Sequence, residues 1–187
     1  MLLRRGRLLE VVTLGWNVVG FVVLALLALA SASVALAGFG LVSLLAVATS
    51  TVVLWELSGT DEERTERALR LIRTAFITVA GFLVIASTVS LVATHHPEPS
   101  PGGIAWAAVT ALVMFQLAAG KRNTGRALNN PVLVAKSRVA LIDGLLAGAV
   151  LIGLSLALLM HWWFIDPIIG FLIAYYAARE ALLIFRP

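Results

Sequence analysis

The chain has 187 residues, is 60% hydrophobic with a mean hydropathy of +0.99, and only 13% of its residues are charged. A water-soluble domain of this size keeps a polar skin, so such a composition excludes one and sets the excess apolar surface against lipid. The net charge of +4 and pI near 10.3 raise nucleic acid as a partner, but no aromatic-rich basic face or binding motif supports it, and the lack of Cys excludes disulfides, thiolate metal sites and cysteine nucleophiles.

A membrane-crossing helix needs about 20 residues at 1.5 Å rise each. Apolar runs of that order fall at 8–30, 34–57, 74–94, 104–119, 132–160 and 165–184. They predict an all-α, polytopic membrane protein of six transmembrane helices. Arg4 and Arg5 ahead of the first run resemble a signal peptide, but Val11 to Trp55 holds no charged residue over 45 positions. A signal h-region is only about 7–15 residues, so a retained first span turning straight into a second is expected. Ser58 to Arg64 reads as a helix start: Thr60 or Asp61 caps, acidic residues crowd the first turn, and Arg follows. A short helix outside the membrane then runs into the third span. His95 to Gly103, with three Pro and two Gly, is not helical throughout.

The fourth span is short, so it stands upright or is extended by Gly102 and Gly103. The fifth is long, and its first turn projects into the interface with Lys136 and Arg138. In the last tight turn, Trp162 and Trp163 fit an interfacial anchor and Pro167 fits the first turn of the sixth helix. The chain stops at Pro187, directly after that span, so a single transmembrane domain over 1–187 is expected, without a C-terminal cytoplasmic domain. Three spans in each half make the halves enter from opposite sides, an arrangement many transporters use, although self-similarity between them is weak.

The 14 Lys and Arg residues are confined to alternate polar segments. Arg4, Arg5 and Arg7 precede the first span. Arg64, Arg67, Arg70 and Arg73 fall between the second and third. Lys121, Arg122, Arg126, Lys136 and Arg138 surround the fourth-to-fifth connection, and Arg179 and Arg186 close the sixth span. The other connections, around Ser31 to Ser33, His95 to Gly103 and His161 to Asp166, have none. Basic side chains stay cytoplasmic, which puts both termini on the cytoplasmic side of the cell membrane.

Ionisable groups within the hydrocarbon are costly and are functional candidates by default. Asp143, between Ile142 and Gly144 in the fifth span, is the clearest, as a cation or proton site or as a structural carboxylate bonded within the bundle. Asn17 is a polar helix-packing candidate that glues spans by an inter-helix hydrogen bond. Glu10 lies near enough to Arg4, Arg5 and Arg7 to pair with them, and Arg179 snorkels beside Glu180. Ala140, Gly144 and Gly148 recur every four positions, the spacing that lets helices approach closely. In the second span Ser43, Val47 and Ser50 share a face, as do Val42, Ala46 and Thr49. Adjacent His95 and His96 on an irregular loop do not converge on a metal, and His161 is interfacial. No Walker loop, nucleophile elbow, His-Glu-x-x-His or EF-hand pattern occurs, so no catalytic residues are assigned and an enzyme is not expected.

Trp16-Asn17, Gly38-Phe39-Gly40-Leu41, the Val134 to Gly144 segment, Trp162-Trp163-Phe164-Ile165-Asp166-Pro167 and Arg179-Glu180 together resemble the membrane part of the cation diffusion facilitator transporters. The resemblance covers nearly the whole chain and is strongest to a bacterial subgroup of cation transporters. It implies a divalent cation, such as zinc, held between the second and fifth spans by two acidic residues four apart on one helix and a His or Asp and an Asp four apart on the other. Residues at i and i+4 share a helix face, and four such ligands suit tetrahedral zinc. Carried over by position, those ligands fall on Val42, Ala46, Val139 and Asp143, of which only Asp143 keeps a carboxylate. The subgroup often has acidic residues where this chain has Gly20 and Lys136. The expected function is cation transport through a modified path at Asp143, in a homodimer within the lipid bilayer. The alternative is a non-transporting membrane scaffold or accessory subunit on the same fold.

Overall fold

A computed structural model describes residues 2–56, 62–94, 96–98, 100–128 and 131–183. Six helices run through them: α1 (Leu2–Ser31), α2 (Val34–Glu56), α3 (Glu62–Val92), α4 (Pro101–Ala127), α5 (Pro131–Met160) and α6 (Ile165–Leu183). The stretches Leu8–Ser31, Arg70–Val92, Pro101–Ala127 and Ser137–Met160 are each long and apolar enough to cross a membrane. Broad outer faces are apolar and exposed, among them Val18, Val22 and Leu26 on α1 and Phe82, Ile85 and Val89 on α3. Such a surface is stable only where lipid replaces water.

Helix outlasts hydropathy at the basic end. The fourth helix begins at Pro101, earlier than the apolar run implies, and continues through Lys121, Arg122 and Arg126. Two local causes act. Ser100 caps the start, its Oγ accepting the Gly103 N–H at 3.2 Å with Pro101 in the first turn. Beyond Ala119, Lys and Arg favour helix as well as most apolar residues do. The third helix likewise starts outside its apolar stretch, at Glu62. The proposed Thr60 or Asp61 cap lies outside the described residues.

α2 packs against α1, α3, α5 and α6. Its burial on several sides follows from small residues at the crossings. A Cβ on Gly38 would stand 3.0 Å from Leu83 of α3 and 3.2 Å from Ile173 of α6, and one on Gly40 would stand 3.2 Å from Leu24 of α1. The Gly38-Phe39-Gly40 motif is therefore a packing device, with Phe39 buried between the two close approaches. The α4–α5 and α3–α6 pairs are the most extensive contacts. Ala140 and Gly144 lie buried on α5, Gly144 against Phe115 of α4. Gly148, expected on the same contact, has open space where its Cβ would be, because a strict four-residue step drifts about 40° around the helix each time.

The non-basic end is closed by three tight turns. Ala32, Thr94 and His161 follow the ends of α1, α3 and α5 in the left-handed conformation, at φ 51°, 48° and 56°. Asp166 sits where α6 begins and reaches across to the start of α2. Its Oδ1 accepts the Ser33 hydroxyl, and its Oδ2 accepts the Val34 N–H at 2.7 Å and the Ala35 N–H at 3.3 Å. Ser33 Oγ in turn accepts the Leu36 N–H at 3.1 Å. The α2 N-terminus thus has its orphan donors and positive dipole end met by a carboxylate from α6.

Candidate functional site

Four helices converge on one small cavity near the middle of the bundle. α1 supplies Trp16, Asn17 and Gly20; α2 supplies Phe39, Val42 and Ser43; α4 supplies Trp106, Thr110 and Met114; α5 supplies Asp143. Asp143 is six residues into the Ser137–Met160 stretch, about 9 Å along the helix. The side chains of Asn17, Ser43, Thr110 and Asp143 are all buried. The free space is about 10 Å³, enough for about one water. Trp16 and Trp106 stack at 5.1 Å and 7° along one wall, and Trp16 Nε1 donates to Thr110 Oγ1 at 3.3 Å. The cavity wall therefore carries one carboxylate, one amide and two hydroxyls.

An ionisable track leads from this cavity toward the basic end. The charges of Lys121 on α4 and Glu180 on α6 both reach Asp143. Lys121 is itself buried, its side chain 3% exposed, and its Nζ lies 3.3 Å from Oε1 of Glu10, whose side chain is 31% exposed. Glu10 is thus held by α4 as well as by its own helix, a pairing that the sequence spacing to Arg4, Arg5 and Arg7 did not reveal. A buried Lys is tolerated because a carboxylate stands within reach. Glu180 also pairs with its neighbour Arg179 at 3.4 Å, at the exposed surface.

The positions marked out from the sequence separate here. Asn17, Val42 and Asp143 line the same cavity. Ala46 is half-buried one turn beyond Val42 and outside the cavity lining. Val139 is 53% exposed. The reason is rotational: α5 buries the stripe Ala140, Asp143, Gly144 and Ala147, and residue 139 falls on its outer edge. Asn17 was expected to bond between helices, but its Nδ2 donates to the Thr13 carbonyl of its own helix at 2.9 Å. The acceptor four residues back is the nearest one available to a side chain of that length. Ser43 behaves similarly, donating to Phe39 O at 3.4 Å.

Sequence reasoning did not find Lys121, Thr110 or the two tryptophans. Thr110, Trp106 and Met114 stand four apart on α4, a stripe that could have marked one face, but nothing in the chain says which helix it meets. At the opposite end, His96, Glu98, His161 and Asp166 line a separate recess of about 190 Å³. His96 lies 5.3 Å from the Trp163 ring. Among the described residues no group of three or more His, Cys, Asp or Glu side chains could hold a metal ion.

A family profile described as the cation efflux transmembrane domain matches residues 11–187. No curated protein sequence matches the chain.

Proposed function

The chain belongs to the cation diffusion facilitator family through this cation efflux transmembrane domain, and from that premise we propose that it moves one positive charge at a time, as a proton or a monovalent cation, through Asp143. Cation transporters of this family are multi-pass membrane proteins and are not enzymes in general. The observation that carries the proposal is the buried Asp143 carboxylate lining a small polar cavity, with buried Lys121 at 3.3 Å from partly exposed Glu10 toward the basic end. Intramembrane carboxylates and lysines arranged in sequence are the usual parts of a proton relay.

The donor chemistry argues the same way. Zinc prefers four ligands, usually including His nitrogen or Cys sulfur. The cavity lining offers a single carboxylate among neutral oxygens, and the aliphatic Val42 contributes no donor. One carboxylate balances one positive charge, and hard oxygen donors suit protons and small hard cations. Room for about one water is what an occluded state of such a path requires. The same reading places both termini and the arginine-bearing connections in the cytoplasm of a cell membrane, and pairs the chain as a homodimer, closed symmetric pairs being the commonest assemblies.

The test is flux in reconstituted vesicles, read with a trapped pH dye under an imposed diffusion potential, with a zinc-sensitive dye as a second channel. D143N is expected to bring proton flux down to the level of protein-free vesicles. Equal flux in both proteins removes Asp143 from the mechanism. Zinc uptake that D143N abolishes, without proton movement, replaces the single-charge reading by a divalent one.

The tight fill around Asp143 favours a second reading, a non-transporting accessory subunit on the same bundle. That protein conducts no cation in the vesicle assay and co-purifies with a fixed partner.

A further inference from the structure

A second recess of the described surface has no part in the path through Asp143. It is a groove of about 610 Å³ between α4 and α5 at the basic end, within the ~300–1,000 Å³ range of ligand sites. One wall is a stripe on α4 that carries Phe115, Ala118 or Ala119, Arg122 and Arg126, and the other is a stripe on α5 that carries Val134, Arg138, Leu141 and Ile142. Their order along the helices grades the groove. Arg122 and Arg126 lie near the end of α4 and Arg138 one to two turns into α5, so three guanidiniums gather at the membrane boundary. Phe115, Leu141 and Ile142 lie deeper, within the membrane-spanning stretches of their helices.

We propose that this groove binds an anionic phospholipid, its phosphate held among Arg122, Arg126 and Arg138 and an acyl chain lying on Phe115, Leu141 and Ile142. Charge complementarity selects the occupant. All three arginines are exposed, and among the described residues no carboxylate forms an ion pair with them. A guanidinium is built to grip phosphate oxygens in pairs, and basic pockets between transmembrane helices are suited to anionic headgroups. The topology rule needs basic residues near helix ends, but it does not need three of them around a single groove with an apolar floor. A soluble anion would satisfy the arginines and leave the floor exposed to lipid tails, whereas a phospholipid fills both.

The experiment is native mass spectrometry of the full chain in detergent, titrated with phosphatidylglycerol or phosphatidylcholine of the same acyl chains. Retention of phosphatidylglycerol is expected to exceed that of phosphatidylcholine by on the order of a hundredfold, each Arg→Gln change removing about fivefold. The R122Q/R126Q/R138Q protein should show no headgroup preference, and the three single variants give the stepwise loss if the triple variant does not purify. L141W, which fills the floor and keeps the arginines, should weaken retention of both lipids. R67Q/R70Q, which removes exposed arginines of α3, should change neither. Equal retention of the two lipids by the unaltered chain, an undiminished preference in the triple and single variants, or an equal loss in R67Q/R70Q overturns the proposal. Displacement of the lipid by millimolar glycerol phosphate overturns it too, because phosphate alone would then be the ligand.

Discussion

Asp166 and Asp143 are both buried carboxylates, one at the start of α6 and one within α5, and their surroundings differ. Asp166 accepts from one hydroxyl and two backbone N–H groups of the α2 start, so it is a structural clamp. Asp143 instead lines a cavity with room for about one water, which is the setting the proposed charge path requires. D166A would strand three buried donors at about 1–3 kcal/mol each. It is expected to lower the midpoint of thermal unfolding in detergent well beyond the effect of D143N, with D166N intermediate because its amide oxygen still accepts. A D166A protein that melts like the parent would deny the clamp. Asp143 was legible in the sequence because its isolation in an apolar run is a one-dimensional fact. The Asp166 clamp was not, since its partner Ser33 lies 133 residues away and the Asp-Pro pair reads equally well as a local turn. The Lys121–Glu10 pair was hidden for the same reason: spacing along α1 points to the nearby arginines, and only the α1–α4 packing brings in Lys121.

At the scale of the helices, position and type were readable because lipid selects for long apolar stretches, while ends and contacts were not. Hydropathy located the fourth segment but truncated it, since helix propensity persists through Lys121 and Arg122 after apolarity stops. The ends also store strain that composition does not display. Ala32, Thr94 and His161 take the left-handed conformation usually left to glycine. Ala32 is exposed, so A32G removes about 1–2 kcal/mol of local strain and gives back part of it as chain entropy. The expected result is a rise in the unfolding midpoint, and a fall would show that the turn does not carry that strain. The α3–α6 contact behaves in the opposite sense. A Cβ on Gly170 would clash with Ser87 Oγ and lie 2.9 Å from Val34 Cγ1, and that Ser87 oxygen is buried with no hydrogen-bond partner among the described residues. G170A should therefore destabilise by about 1–3 kcal/mol. S87A should be neutral or mildly stabilising, and the pair should recover part of the loss. Additive effects of the two changes would mean that these helices do not meet through that oxygen.

The whole molecule joins two asymmetries that the chain encodes separately. One is the charge: among the described residues every Lys and Arg lies toward the end that carries the α2–α3 and α4–α5 connections, and the turns after α1, α3 and α5 have none. The other is the packing: the capped, tryptophan-bearing end is locked by Asp166, while the basic end holds buried Lys121 paired with partly exposed Glu10 and opens into the α4–α5 groove. Together they tie down the non-basic end, and in the path proposed through Asp143 the basic end is the side from which a charge approaches. This orientation can be checked directly, because the chain has no cysteine and any introduced thiol is the sole target. Arg67 near the start of α3 and His96 after its end are both exposed. α3, whose Arg70–Val92 stretch is 23 residues, or about 35 Å at 1.5 Å each, is long enough to separate them by a bilayer. In intact cells a membrane-impermeant maleimide should label H96C and spare R67C, and permeabilisation should expose R67C. Labelling of both from the same compartment would mean that α3 does not cross, and the charge-based orientation would fall with it. The reverse pattern would keep the six crossings, put the Lys121–Glu10 entrance outside, and turn the direction of approach to Asp143 around.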